Sequence, residues 1–217
     1  MKKLASLFAL LGLMTVLAAC GASAASSSAA PSASASSAVP EAASSEAAPA
    51  SAVSEAPAEC PHTLVAYFSC TGNTEGVARK LADQTDAAVY VITPAQPYTA
   101  DDLNYNNNSC RANQEMNDAS ARPELGGEDI DLSPYTTVYL GYPIWWGTAP
   151  RIIQTFLESH EWDGKTVYLF CTSGSSGAEK SLSDLQSSYP DINFAAAKRF
   201  SASASDSDIS GWLDSLH

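Results

Sequence analysis

From residue 61 onward, short unbroken apolar runs alternate with stretches in which apolar residues recur every three or four positions. Leu64 to Phe68 is apolar throughout, the pattern of a strand buried on both faces. Similar runs predict further strands over 88–92, 137–142 and 166–171, with a less regular one over 192–200. Helical spacing appears over 73–84 (Val77, Ala78, Leu81), 149–159 (Ile152, Ile153, Phe156, Leu157), 178–188 (Leu182, Leu185) and 206–216 (Ile209, Trp212, Leu213, Leu216). A long polar crossing, 93–135, separates the second and third strands; it is expected to carry a helix near 109–119 and a solvated Asn-rich loop at Asn104–Asn108. Strands joined by helical crossovers imply an α/β fold of three layers, a parallel sheet covered on both faces. Right-handed crossovers and five strands favour the doubly wound order 2-1-3-4-5, whose ligand crevice lies outside the C-terminal ends of the strands.

Before residue 61 that pattern is missing. Met1-Lys2-Lys3 is a basic start, and residues 4–19 form a largely apolar run, short for a membrane span, that ends in small residues. Leu17-Ala18-Ala19-Cys20 resembles the lipobox of bacterial lipoproteins. That resemblance implies a signal peptide over 1–19 and a lipid on Cys20, the new N-terminus. The plainer alternative is an ordinary signal peptide or uncleaved anchor with a chance cysteine. Residues 21–59 are Ala, Ser, Pro and Glu with almost no large apolar side chain, too little to offset chain entropy, so a disordered tether is expected over 20–60. Its end-to-end distance would be roughly 35 Å. The domain at 61–217 would then sit outside the cytoplasm, close to the membrane.

The chain carries a formal charge of −13. Residues 60–217 keep nine basic and twenty acidic side chains, or −11. Such a balance disfavours nucleic acid and suits docking to basic patches on partner proteins. Besides Cys20 there are Cys60, Cys70, Cys110 and Cys171, none at metal-ligand spacing, so no metal site is expected. Cys70 and Cys171 end predicted strands and read as buried thiols; Cys60 with Cys110 is the disulfide to test first. His62, His160 and His217 fall at boundaries or the terminus and read as surface residues.

Three loops converge at the predicted crevice. The first, Ser69-Cys70-Thr71-Gly72-Asn73-Thr74, runs from strand into helix and gathers hydroxyl and amide groups around a glycine. A helix start offers unpaired N–H groups and a favourable dipole for an anion. The turn has no Lys or Arg, unlike a P-loop, so a phosphate there would meet neutral donors only. In the second loop, Gly141 to Pro150, the adjacent Trp145 and Trp146 cannot both point into the core; one is expected to pack and the other to offer a surface for a flat ligand. The third, Cys171 to Ala178, has small residues that let a ligand approach the backbone. Together they suit a flat heterocycle bearing a terminal phosphate.

Ser69-x-Thr71-Gly72-Asn73-Thr74 after the first strand is similar to the flavodoxin phosphate loop, and Tyr142-Pro143-x-Trp145-Trp146-Gly147-Thr148 to a flavodoxin flavin loop. The resemblance covers residues 62–216 and implies a flavodoxin-like fold binding FMN. By it, Ser69, Thr71, Gly72, Asn73 and Thr74 would hold the phosphate. Pro143, Trp145, Trp146, Gly147, Thr148, Thr172, Ser173, Gly174 and Gly177 would line the isoalloxazine ring. Gly147 matches the flavodoxin glycine whose carbonyl turns toward flavin N5 on reduction. Thr148 stands where many flavodoxins have an acidic residue, and the third loop lacks the aromatic that often covers the outer flavin face. Nothing in the sequence assigns chemistry to Arg122-Pro123-Glu124.

The first function implied is electron transfer between redox partners at the cell surface by a lipid-anchored FMN protein, without a catalytic residue of its own. The second is an FMN reductase of the same class using nicotinamide or quinone substrates, and the third a flavin-free binding module that kept the fold. No His or Cys is paired with an orienting carboxylate, and Ser173-Gly174-Ser175 lacks the glycine spacing of a nucleophile elbow.

Overall fold

The computed structural model describes residues 62–216. The expected signal peptide and tether, with Cys20, Cys60 and His217, lie outside the described residues. Among the described residues, no helix is long and apolar enough to cross a membrane.

The chain alternates β1 (Thr63–Tyr67), α1 (Asn73–Thr85), β2 (Ala88–Val91), β3 (Thr93–Pro94), α2 (Arg111–Asn117), β4 (Leu125–Gly126), β5 (Thr137–Pro143), α3 (Arg151–Glu158), β6 (Thr166–Thr172), α4 (Glu179–Ser188), β7 (Asn193–Phe200) and α5 (Asp206–Asp214). Five strands form one parallel sheet in the order β2-β1-β5-β6-β7. Counting only its members, that is the expected 2-1-3-4-5. The expected elements recur with ends that coincide or shift by one or two residues. The crossing differs: α2 is shorter than expected, and β3 pairs antiparallel with β4 in a separate two-stranded ladder.

Alternate side chains of β1 leave on opposite faces and are buried on both. Leu64, Ala66 and Phe68 join Val138, Leu140, Ile152, Ile153 and Phe156 on one side; Val65 and Tyr67 join Val77, Leu81, Tyr139, Ile209 and Trp212 on the other. Gly141 is fixed by packing, since a Cβ there would run into the Phe170 ring. His160 corrects the surface reading. Its side chain is 5% exposed, with Nδ1 2.9 Å from the Phe156 carbonyl and Nε2 3.2 Å from Asp129. It closes the C-terminal end of α3 instead of facing water.

Candidate functional site

All the parallel strands point the same way, so the loops after β1, β5, β6 and β7 meet at one edge. They enclose a cleft of about 490 Å³ lined by Ser69, Cys70, Thr71, Asn73 and Thr74 from the first loop and by Pro143, Ile144 and Trp145 from the second. Thr172, Ser173 and Gly174 form its third wall, with Arg199, Ser201 and Ala202 beyond them and Leu103 and Tyr105 reaching in from the crossing.

At one end, α1 opens from Gly72, which has φ +82° and caps the helix with no side chain. Only glycine adopts that conformation without strain. Its own N–H donates to Ser69 Oγ at 3.1 Å, which shapes the turn. A Cβ at Gly72 would meet nothing within 4 Å, so the left-handed backbone, not packing, calls for glycine here. The first-turn amides of α1 therefore face the cleft without a side-chain acceptor. Below them, Thr74 is buried and its hydroxyl bonds that of Thr172 at 2.8 Å, tying α1 to the end of β6.

The two tryptophans separate. Trp145 is 4% exposed and stands edge-on to Phe68 and Tyr98, at centroid distances of 5.7 and 5.2 Å. Trp146 is 45% exposed and meets the half-exposed Tyr105 edge-on at 5.0 Å. A tight turn makes the split: Trp145 and Thr148 exchange backbone hydrogen bonds of 2.9 and 3.0 Å around Trp146 (φ +49°) and Gly147 (φ +81°). Positive φ at both central positions is the sign pattern of a primed hairpin turn. For tryptophan that conformation costs about 1–2 kcal/mol, so the turn presents this indole at the expense of backbone strain. Tyr105, Ile144, Trp145 and Trp146 enclose a smaller aromatic pocket of about 260 Å³ beside the cleft. On α4, burial pushes the Asp184 carboxyl up, but hydrogen bonds from Lys180 and Thr148 outweigh it and hold it below the ordinary carboxylate range.

The third wall is held from outside the loop. Arg199, at the end of β7, donates through Nε and Nη2 to the Ser173 carbonyl (3.3 and 3.0 Å), through Nη2 to the Gly174 carbonyl (2.7 Å) and through Nε to Ser173 Oγ (3.2 Å). Ser173 in turn donates its hydroxyl to the Ser176 carbonyl.

The thiols near the cleft are not nucleophiles. Burial pushes Cys70 and Cys171 up to about 12, so both stay protonated at neutral pH. Of the two thiols read as buried, Cys171 is so, whereas Cys70 is half-buried and lines the cleft. Cys110 is a free, buried thiol that starts α2, its sulfur accepting from the Asn113 N–H at 3.4 Å; pairing with Cys60 lies outside the described residues.

Residues 62–216 match the family model described as Flavodoxin. The chain belongs to the flavodoxin family. It is similar to a candidate flavoprotein from Bacteroides eggerthii at 44% identity, over 71% of this chain and 96% of that one, with a TM-score of 0.68. A candidate flavoprotein from Bacteroides uniformis shares 43% over 70% and 97%, also at 0.68. A flavoprotein from Lactobacillus acidophilus, solved in complex with FMN, shares the fold at 23% identity over 70% and 97%, with a TM-score of 0.57. No curated protein matches the chain.

Of the flavodoxin positions picked out in the sequence, Ser69, Thr71, Asn73, Thr74, Pro143, Trp145, Thr172, Ser173 and Gly174 line the main cleft. Gly72 shapes the turn from behind, and Trp146 lines the smaller pocket. Gly147, Thr148 and Gly177 lie outside both walls. Sequence reasoning missed Arg199, although its place at the C-terminal end of the fifth sheet strand was a usable signal. It also missed Tyr105, hidden in a run of asparagines. The cleft as a whole is therefore not the uncharged ring that the turn alone suggested.

Proposed function

We propose that this flavodoxin-family protein binds FMN and carries electrons between redox partners at the outer face of a membrane, to which a lipid on Cys20 tethers it. One observation carries the reading: a single cleft has an uncapped helix start behind Gly72 at one end and an exposed indole, Trp146, beside its other wall. The fit to FMN is supported by the hydroxyl and amide side chains of Thr71, Asn73 and Thr74 in the cleft wall at the start of α1 and by a cleft size within the usual range for ligand sites. Ser69, Thr71, Gly72, Asn73 and Thr74 would hold the phosphate. Pro143, Trp145, Thr172, Ser173 and Gly174 would flank the ring, joined by Trp146 on the turn that Gly147 and Thr148 close, with Gly177 allowing the third loop its path. Bound FMN supplies one- and two-electron chemistry. The acidic surface would guide basic partner patches and disfavour the reduced, anionic flavin.

The purified full-length protein should show flavin absorption bands in equimolar amount. A colourless protein that takes up no added FMN would select the flavin-free binding module and end this reading. Replacing Cys20 with Ser should release the protein from the membrane fraction; an unchanged distribution removes the lipid tether. The aromatic pocket of Tyr105, Ile144, Trp145 and Trp146 favours a second reading, a reductase that receives a planar substrate there. Rapid stopped-flow reduction by NADH or NADPH would support the reductase, and negligible reduction the carrier.

A further inference from the structure

Among the described residues, Arg199 is the only charged side chain that lines the main cleft, in a domain whose formal charge is −11. Arg79, Lys80, Arg111, Arg122 and Lys180 each pair with a carboxylate. Arg199 has no carboxylate partner among the described residues; its hydrogen bonds go to the Ser173 and Gly174 carbonyls and to the Ser173 hydroxyl. Neutral acceptors fix a guanidinium in place without cancelling its charge. The same bonds fix two successive peptide groups of the third wall, because a carbonyl held in one direction holds the N–H across its peptide in the other. A clamped loop and an uncompensated cation thus coincide on the wall assigned above to the flavin ring.

We propose that Arg199 is a positioning residue that also sets the reduction potential of the bound cofactor, favouring the reduced ring against the acidic field of the rest of the domain. The inference rests on the FMN reading. Uptake of two electrons and one proton leaves the ring with one added negative charge, and a fixed cation on the wall stabilises that charge more than it stabilises the neutral oxidised ring. The planar fork of arginine is needed for the clamp, whereas any cation at that site supplies part of the charge effect.

The test compares full-length wild type with R199Q and R199K, each checked for folding by circular dichroism. Affinities for FMN and riboflavin are measured by fluorescence quenching, and the two-electron potential by equilibration with reference dyes. R199Q should lose about tenfold in its preference for the reduced ring, a potential more negative by about 30 mV. FMN and riboflavin should weaken by the same factor, because the clamped wall is remote from the phosphate turn. R199K should keep most of the wild-type potential while losing affinity for both. An unchanged potential in R199Q overturns the proposal. So does weakening of FMN with riboflavin unaffected, which would place Arg199 on the phosphate. Failure of R199Q to fold also overturns it, since the residue would then hold the domain together instead of tuning the site. Wild type that binds neither molecule refutes the FMN reading itself, a result distinct from all of these.

Discussion

Helices α1 and α5 begin at the same edge of the sheet and pack side by side, yet their first turns are completed in opposite ways. α5 satisfies itself. The Ser205 hydroxyl accepts from the Asp208 N–H at 3.2 Å, and the Asp208 carboxylate accepts from the Ser205 N–H at 2.8 Å. This capping box needs nothing from outside. α1 enters through a left-handed glycine that has no side chain to give. α3 and α4 also start without a side-chain cap, so an uncapped end alone does not mark the site. What sets α1 apart is the presence of Thr71, Asn73 and Thr74 in the cleft wall. A protein that can build a complete cap does so for α5, whereas at α1 the proposed phosphate of FMN would take that place.

The contrast breaks most sharply at Asn73, whose side chain lines the cleft at the start of α1. Asn73→Asp places a carboxylate where the phosphate is proposed to bind; like charges so close cost several kcal/mol, so FMN affinity should fall roughly a hundredfold or more. Fluorescence titration reads the loss, and riboflavin, which lacks the phosphate, should be far less affected. Equal effects on the two ligands would remove the phosphate from this turn. Thr71→Ala combined with Asn73→Ala should weaken FMN by about tenfold through lost hydrogen bonds to a charged group, while the spectrum of bound flavin stays the same.

At the other helix the expected effects are smaller and bear on stability alone. Ser205→Ala should cost about 1 kcal/mol and lower the melting temperature by roughly 2–4 °C, with FMN affinity unchanged. A change in affinity would show that the two helix starts are not independent. Bonds from the Ser205 N–H and hydroxyl hold the Asp208 carboxyl below its ordinary value. A carboxyl depressed on folding stabilises the native state above its unfolded pKa of about 3.9, and that contribution disappears as pH falls through the folded value. The melting-temperature gap between wild type and Ser205→Ala should therefore hold at neutral pH and narrow on acidification, leaving the part due to the Asp208 N–H bond to the Ser205 hydroxyl. A gap that widens in acid contradicts the sign.

The central strands of the sheet were legible because they are buried on both faces and so write themselves as unbroken apolar runs, as in Leu64–Phe68 and Val138–Leu140. The β3–β4 ladder was not legible, since two-residue strands have no period to read. Within the site, glycine and hydroxyl spacing exposed the turn at 69–74, whereas tertiary neighbours decide the remainder. That Trp145 packs and Trp146 faces out depends on Phe68 and Tyr98 standing where Trp145 enters. Arg199 sits in a strand of mixed character, and its partners, the Ser173 and Gly174 carbonyls, are distant in sequence. Arg122, silent in the sequence, pairs with Glu158 at 2.8 Å and pins the crossing to α3.

The hydrogen bond between Thr74 and Thr172 joins the two halves of the cleft beneath its floor. Because it is buried and short, neither half slides without breaking it. A molecule long enough to span both finds its two anchor points already spaced and spends little ordering entropy in reaching the second. Two fragments offered separately gain no such advantage, so the floor itself discriminates in favour of an intact, double-ended guest.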